Sequence, residues 1–317
     1  MLKSFDFVSN EWLSKNISDE QLLTEEKSIA AEFVRLSPTS GGMVCPVCES
    51  GNAERFAAMG GLDYLRCKDC FTVFAPAGAE TVDSYQAWTP LVNFRRTEKF
   101  QSRTAEIRAN MWDELLFWIN FRCVRYLGNR AGFRVLDWGN FFSNLSDMIQ
   151  KARFCGEYSR KSDVLGDRGD LSSGFDVILY IDQLRHEMRA YELLRSFFEK
   201  LDDNGLLILS TRVSSGLDIL TLKGEIDNVY PYEHSLLPSL KGLELLLRRV
   251  GFELLEISTP GTMDIMNVMK KRETLRGSNL FLEYLLDNAT PAVLDELQRF
   301  LQKNGLSSHA RIVARKS

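Results

Sequence analysis

The 317-residue sequence lacks a basic surplus, a long apolar run and a recognisable leader segment. Lys and Arg number 39 against 43 Asp and Glu, which gives a net charge of −4. Nucleic-acid platforms usually carry excess positive charge, so this balance argues against one. No apolar stretch approaches the roughly 18 residues that span a bilayer, and Met1–Trp12 lacks a basic segment followed by an apolar one. We therefore expect a cytoplasmic protein without a membrane span.

Four of the six cysteines form two Cys-x-x-Cys pairs. Cys45 and Cys48 make the first pair, and Cys67 and Cys70 make the second. Zinc binds four thiolates in a tetrahedron, and a two-residue spacer lets both sulfurs of a pair reach one ion. Two disulfides are the alternative, which a reducing compartment disfavours. We predict a zinc ribbon with a structural ion, because four thiolates leave no open coordination position for water.

Composition and hydrophobic periodicity divide the chain into four parts. A helical pattern occupies residues 1–40, the ribbon lies in residues 41–80, and a linker with a long helix fills residues 81–132. From residue 133 to residue 317, short apolar runs alternate with helical patterns, which predicts a parallel sheet covered by helices on both faces. Two further helical patterns form an insertion at residues 261–306. The strand candidates are a short apolar run before Asp167 and six longer runs. The longer runs are Phe133–Trp138, Ala152–Tyr158, Phe175–Ile181, Leu206–Ser210, Phe252–Ile257 and Ser308–Ala314.

Acidic residues and a glycine occur near the ends of successive strand candidates. Asp137 and Gly139 close the first run, Glu157 lies near the end of the second, and Asp167 follows the short third run. Asp182 directly follows the run Phe175–Ile181. The carboxyl ends of parallel strands share one edge of the sheet, where nucleotides bind beside a helix N-terminus. An acid at Glu157 can accept hydrogen bonds from ribose hydroxyls, and Asp167 can meet an adenine amine.

These segments resemble the motifs of class I S-adenosylmethionine (SAM)-dependent methyltransferases over about residues 97–317. Four segments carry the resemblance in the family's order: Val135–Gly139, Phe175–Ile178 with Asp182–His186, Asn204–Ile208 and Arg249–Glu253. The resemblance implies an α/β fold with a Rossmann-like, mostly parallel seven-stranded sheet. Its last strand, Ser308–Ala314, would be antiparallel and would lie beside Phe252–Ile257.

A four-cysteine ribbon ahead of this fold is similar to the sugar C-methyltransferases and related glycan and natural-product enzymes. In those enzymes a Glu-His pair after the fifth strand acts as acid and base, and Glu233 and His234 hold the matching place. A histidine titrates near neutrality, and an adjacent acid can orient it. A loop histidine without catalytic function is the alternative. His186 is expected to line the cofactor pocket or to be structural.

The same resemblance implies a SAM site across the strand ends. Its residues would be Asp137, Gly139, Glu157, Asp167 and Asp182. The family's glycine motif reads Asp-x-Gly-x-Gly-x-Gly, whereas this chain keeps only the first glycine and has Phe141 at the second position. Phe141 stands where the main chain must approach the methionine part of SAM.

Two functions follow from these features. The first is SAM-dependent methyl transfer to a small molecule, such as a nucleotide-linked sugar or another glycan or natural-product precursor. The second is a methyltransferase-like pseudoenzyme that does not use SAM and serves as a binding or scaffolding subunit, with a protein partner or as a homo-oligomer. A zinc-ribbon protein that binds nucleic acid is disfavoured by the net negative charge.

Overall fold

The computed structural model describes residues 24–26, 28–29, 42–76, 90–91, 93–129, 132–139, 143–161, 173–230 and 233–317. Most of the predicted N-terminal helical part, Phe141 and Asp167 therefore lie outside the described residues. Within the described ranges, no helix is both long and apolar enough to cross a bilayer.

The described strands and helices alternate as the periodicity predicts. The strands are β1 (Ala53–Met59), β2 (Leu62–Cys67), β3 (Val73–Phe74), β4 (Phe133–Trp138), β5 (Cys155–Lys161), β6 (Phe175–Ile181), β7 (Leu201–Arg212), β8 (Leu236–Leu237), β9 (Phe252–Ser258) and β10 (His309–Lys316). The helices are α1 (Glu98–Leu127), α2 (Ser143–Lys151), α3 (Ala190–Lys200), α4 (Leu217–Leu222), α5 (Leu240–Val250), α6 (Asp264–Lys270), α7 (Leu280–Asn288) and α8 (Pro291–Asn304).

The central sheet has the order β5-β4-β6-β7-β10-β9 among the described residues. Strands β5, β4, β6 and β7 pair in parallel, and β10 pairs antiparallel with both β7 and β9. This arrangement confirms the predicted α/β class with a mostly parallel sheet and an antiparallel last strand. The short strand predicted before Asp167 lies outside the described residues.

Both faces of the sheet are covered, because its buried strands are apolar at successive positions. On one face Leu136 and Tyr180 pack with the ribbon and with helices α3 and α5. On the other face Val135 and Leu179 pack with α1 and α2, in a cluster that includes Ile119. Near-continuous apolar strands such as β6 are typical of a parallel sheet buried on both sides.

Strand β5 begins and ends three residues later than its apolar pattern predicts. The expected strand Ala152–Tyr158 is wrong at both ends, because residues 152–154 form the turn that leaves α2. In that turn the Ala152 amide donates to the Ile149 carbonyl, and the Cys155 amide donates to the Ala152 carbonyl. Phe154 is buried in the core below α2, so its apolar character reflects packing in a turn.

The ribbon is joined to the α/β part by a shared sheet and a shared core. Its strands form the order β1-β2-β3-β8, in which β8 comes from the α/β part of the chain. Val73 pairs with Leu237 in this junction. The Arg249 guanidinium donates to the Val47 carbonyl at 2.8 Å, and Val47 packs in the core cluster of α3 and α5. Arg249 lies 202 positions after Val47, so the ribbon is held by contacts with residues that are distant in sequence.

Candidate functional site

The four ribbon cysteines converge on one point. Their sulfurs lie within 4.8 Å of one another, with Cys45 and Cys70 3.6 Å apart and Cys48 and Cys67 3.5 Å apart. None of these cysteines forms a disulfide. A tetrahedron of sulfurs at about 2.3 Å from zinc has edges of roughly 3.8 Å, which matches these separations. The sequence-predicted ligands are thus together, and their geometry suits a tetrahedral metal ion.

The two cysteine pairs have the same local turn. Glu49 and Phe71, which directly follow the second cysteine of each pair, have positive φ angles of 60° and 66°. Their amides donate to the carbonyls of Cys45 and Cys67, at 2.9 Å in each case. This repeated geometry turns both sulfurs of a pair toward the same side, which is what binding of one ion requires.

Gly139 lies at the carboxyl end of β4 and needs to be a glycine. Its φ is +79°, and a Cβ built on it would lie 2.9 Å from Cγ of Gln183. Its amide donates to the Lys161 carbonyl at 2.7 Å, which ties the end of β4 to the end of β5. The Gln183 side chain thus fills the space that a Cβ of residue 139 would take, and the conformation of the main chain here is fixed by neighbours on both sides.

Asp137, two residues before Gly139, points into the protein. It is fully buried, and its Oδ2 accepts hydrogen bonds from the Tyr158 hydroxyl at 2.7 Å and the Ser146 hydroxyl at 3.1 Å. Burial and then the Asp137 charge raise the pKa of Tyr158. Asp137 thus joins β4 to α2 and β5 through these two hydrogen bonds.

Glu157 does not lie at the strand edge where the sequence analysis put it. It pairs with Arg134 near the start of β4, and its carboxylate lies 3.2 Å from the Arg134 Nε with 62% of the side chain exposed. Lys161, four residues later, is the residue opposite Trp138 at the carboxyl end. At about 3.3 Å per residue, Glu157 is roughly 13 Å from that end. Glu157 therefore lies far from the edge at which the predicted ribose contact would form, because β5 is shifted along the sequence.

Asp182 follows β6 directly and faces the last strand. It has a φ of 55°, and its Oδ1 accepts from the Ser210 hydroxyl at 2.9 Å. The same oxygen lies 2.8 Å from Nε2 of His309. Burial alone would raise the pKa of Asp182, but His309, Arg185 and the Ser210 hydroxyl together hold it below its usual range. Asp182 is therefore an ionised acceptor at the strand edge.

Glu233 is the centre of a buried ion cluster. Its carboxylate accepts from Nη1 and Nη2 of Arg95 at 2.6 and 2.9 Å, and from Nη2 of Arg185 at 3.1 Å. Arg95 also binds Glu26 at 2.5 Å. Burial alone would raise the pKa of Glu233, but the two guanidinium groups hold it well below its usual range. The cluster joins four distant segments of the chain.

His234 lies next to this cluster but has little access to solvent. Its side chain is 3% exposed, and its Nδ1 accepts the Tyr230 amide at 3.1 Å. Burial and then the Arg185 charge lower the pKa of His234 well below its usual range. The neutral ring therefore carries its proton on Nε2. It cannot act as a base unless the hydrogen bond from the Tyr230 amide to Nδ1 is first broken.

His186 is likewise neutral. Burial and then the neighbouring Arg185 charge lower the pKa of His186 to about 3. It sits on the short turn after β6, with Arg185 Nε 3.4 Å from its Nε2. The structure thus places Glu233, His234 and His186 together, but as a packed cluster around two arginines.

Sequence reasoning missed His309, Arg95 and Arg185. A signal for His309 was present, because an antiparallel strand begins at the edge where its parallel neighbours end. A polar residue at the start of β10 must therefore lie near the ends of β6 and β7. The two arginines carried no such signal, since only the fold brings Arg95 to Glu233.

Comparison with known proteins gives matches at the level of three-dimensional structure. No protein family matches the chain, and no curated protein matches its sequence. A putative sarcosine dimethylglycine methyltransferase from Galdieria sulphuraria is similar, with 12% identity, a TM-score of 0.42, and coverage of 64% of this chain and 85% of that one. Phosphoethanolamine N-methyltransferase 2 from Haemonchus contortus, in complex with SAM, has 15% identity, a TM-score of 0.42, and coverage of 80% and 64% respectively.

A third similar structure is coclaurine N-methyltransferase bound to N-methylheliamine and S-adenosylhomocysteine. It is 14% identical, with a TM-score of 0.39 and coverage of 96% of this chain and 91% of that one. All three of these proteins are methyltransferases. Their TM-scores lie below 0.5, so they do not assign an activity to this chain.

Proposed function

We propose that this protein is a SAM-dependent methyltransferase that acts on a small molecule. The supporting observation is the reversal of strand order between β4 and β6. The chain passes from β4 to β5 on one side and then to β6 on the other side. Ligands of open α/β sheets bind at the carboxyl ends of the strands where the order reverses. Gly139 and Asp182 are the first residues after those two strands.

SAM would supply an activated methyl group when bound at this reversal. The main chain at Gly139, which has no side chain of its own, would lie beside the methionine part of SAM. Helix α2 begins four residues later, and the free amides of a helix N-terminus favour a carboxylate. Asp167, the acid predicted to meet the adenine amine, follows the end of β5 in the sequence.

The acceptor is proposed to be a nucleotide-linked sugar or another glycan or natural-product precursor, as the ribbon's resemblance to sugar C-methyltransferases suggests. The ribbon is proposed to hold one structural zinc ion through Cys45, Cys48, Cys67 and Cys70. Its sheet continues into β8, two residues after His234, so the ribbon would form one wall of the acceptor site.

Isothermal titration calorimetry with SAM and S-adenosylhomocysteine on the zinc-loaded chain tests the proposal. We expect micromolar binding by the natural sequence and a loss of at least 10-fold in Gly139→Ala, whose new Cβ would meet Gln183 at 2.9 Å. The matched control is Gly277→Ala. Gly277 has a nearly identical φ of +77° but no atom within 4 Å of a built Cβ.

Gly277→Ala carries the same backbone strain away from the strand edge, so its SAM affinity should equal that of the natural sequence. Equal affinity in Gly139→Ala would contradict the assigned site. No binding at millimolar SAM would contradict the proposed function and leave the scaffold alternative, in which the chain does not use SAM.

A further inference from the structure

His309 differs from the other two histidines in which ring nitrogen is available. Asp182 is ionised and can only accept hydrogen bonds, so Nε2 of His309 must donate across the 2.8 Å contact. In the neutral ring, Nδ1 then carries no proton. No hydrogen bond to this Nδ1 occurs among the described residues, and 31% of the side chain is exposed. The ring is held through one nitrogen and leaves the other free.

The free nitrogen lies at the functional edge of the sheet. His309 pairs with Arg212, the last residue of β7, because β10 runs antiparallel to that strand. Its side chain reaches past Ser210 to Asp182 at the end of β6. The ring is thus beside the reversal of strand order, where a bound ligand would lie.

Neither of the other histidines offers a basic nitrogen in this way. His234 uses Nδ1 to accept the Tyr230 amide and is nearly fully buried. His186 packs against Arg185, whose positive charge opposes protonation of the ring. A carboxylate that accepts from one histidine nitrogen fixes the tautomer and stabilises the ring when the other nitrogen gains a proton.

We propose that His309 is the general base of this site and that Asp182 is its positioning residue. This inference rests on the proposed methyl transfer, and it replaces the role expected for His234. The acceptor is a small molecule whose hydroxyl, amine or acidified C–H group must lose a proton. As the acceptor atom bonds to the methyl carbon of SAM, the carbon–sulfur bond of SAM breaks and its electron pair stays on sulfur. The acceptor's proton moves to Nδ1 of His309, whose positive charge Asp182 then balances.

The first experiment compares histidine reactivity in the full, zinc-loaded chain. Diethyl pyrocarbonate acylates accessible, unprotonated imidazole nitrogens, and mass spectrometry locates the modified residue. We expect His309 to react at least 10-fold faster than His234 and His186, which serve as internal controls. In Asp182→Asn, ¹⁵N NMR should show loss of the Nε2-protonated tautomer of His309, whereas a merely structural Asp182 would leave the tautomer unchanged.

The second experiment measures S-adenosylhomocysteine release with a panel of phenols, amines and nucleotide-linked sugars. His309→Gln keeps a donor toward Asp182 but removes the base, so kcat should fall by about 100-fold or more. SAM affinity by calorimetry should remain unchanged. Ser210→Ala removes one of the two donors to Asp182 and should cause a smaller loss than His309→Gln.

The outcomes separate the base from the proposed function. A His309→Gln variant that keeps most of the activity would overturn the assignment of the base while the methyltransferase function stands. Failure of SAM to bind would overturn the function. The base assignment rests on that function and falls with it. If SAM binds but no acceptor in the panel is methylated, the reactivity of His309 decides: reaction no faster than that of His234 overturns the inference, and selective reaction supports an accessible base held by Asp182.

Discussion

Replacement of Glu233 by Gln tests whether the buried ion cluster stabilises the fold. Glu233 is 1% exposed and accepts three hydrogen bonds from Arg95 and Arg185. Removal of one partner from a buried ion pair costs about 3–5 kcal/mol, because the remaining charge has no counterion. Arg95 keeps Glu26 as a counterion, and both guanidinium groups are about one-fifth exposed, so part of that charge stays compensated or screened by water. We therefore expect a loss of about 3 kcal/mol, and a melting temperature lower by roughly 5 °C.

A matched control exists on the surface. The contact between Arg249 and Glu49 has the same length of 2.6 Å as the contact between Arg95 and Glu233, but 66% of the Glu49 side chain is exposed. Exposed ion pairs contribute about 1 kcal/mol or less, so Glu49→Gln should have little effect. Urea unfolding and thermal melts measure both variants. Equal losses in the two variants would refute the reasoning, since Glu233 is buried and accepts from two arginines whereas Glu49 is exposed and accepts from one.

The dependence of this loss on pH follows from the pKa of Glu233. That pKa is lowered in the folded protein, so the ionised carboxylate stabilises the fold at pH values above its unfolded pKa of about 4.3. The stabilisation disappears progressively as the pH falls below that value. The difference in stability between the natural chain and Glu233→Gln should therefore be full at pH 7 and smaller at pH 4.

Two further predictions concern the metal and a second buried carboxyl. Cys70→Ser should lower the zinc content measured by mass spectrometry from one ion per chain to near zero and should reduce the melting temperature, whereas Cys123→Ser, outside the ribbon, should keep the zinc. Burial and then Asp218 raise the pKa of Asp264 to about 6, so this group weakens the folded state as the pH rises from about 4 to about 6. Asp264→Asn should remove that decline in urea unfolding, and an unchanged decline would show that another group causes it.

Much of the fold could be predicted from local sequence patterns. Strands β4 and β6 begin and end where their apolar runs do, because both of their faces are buried. Helix α1 begins after Thr97, whose hydroxyl accepts the Phe100 amide, and the chain leaves it at Gly128. The convergence of the four ribbon cysteines was predictable, because two Cys-x-x-Cys pairs are typical of a metal site. In each of these cases one local requirement, such as burial on both faces or helix capping, determines which residue types occur.

The site was less predictable, because its contacts join residues that are distant in sequence. Glu157 was misplaced since apolar residues in a turn resemble the start of a strand. His309 and Asp182 are 127 positions apart, and Arg95 and Glu233 are 138 apart. Only the register of β10 on β7 brings the first pair together, and that register follows from packing of the whole sheet.

The pairing of β3 with β8 would couple the proposed zinc ion of the ribbon to the proposed ligand site. Strand β8 completes the ribbon sheet, and the Ala75 amide donates to the Ser235 carbonyl beside His234. Binding free energies at two coupled sites change each other by the same amount. A ligand that orders the segment around Ser235 would thus raise the affinity of the ribbon for zinc, and removal of zinc would lower the affinity for that ligand by the same factor. The ribbon would then act as a sensor of site occupancy, with metal retention as its readout.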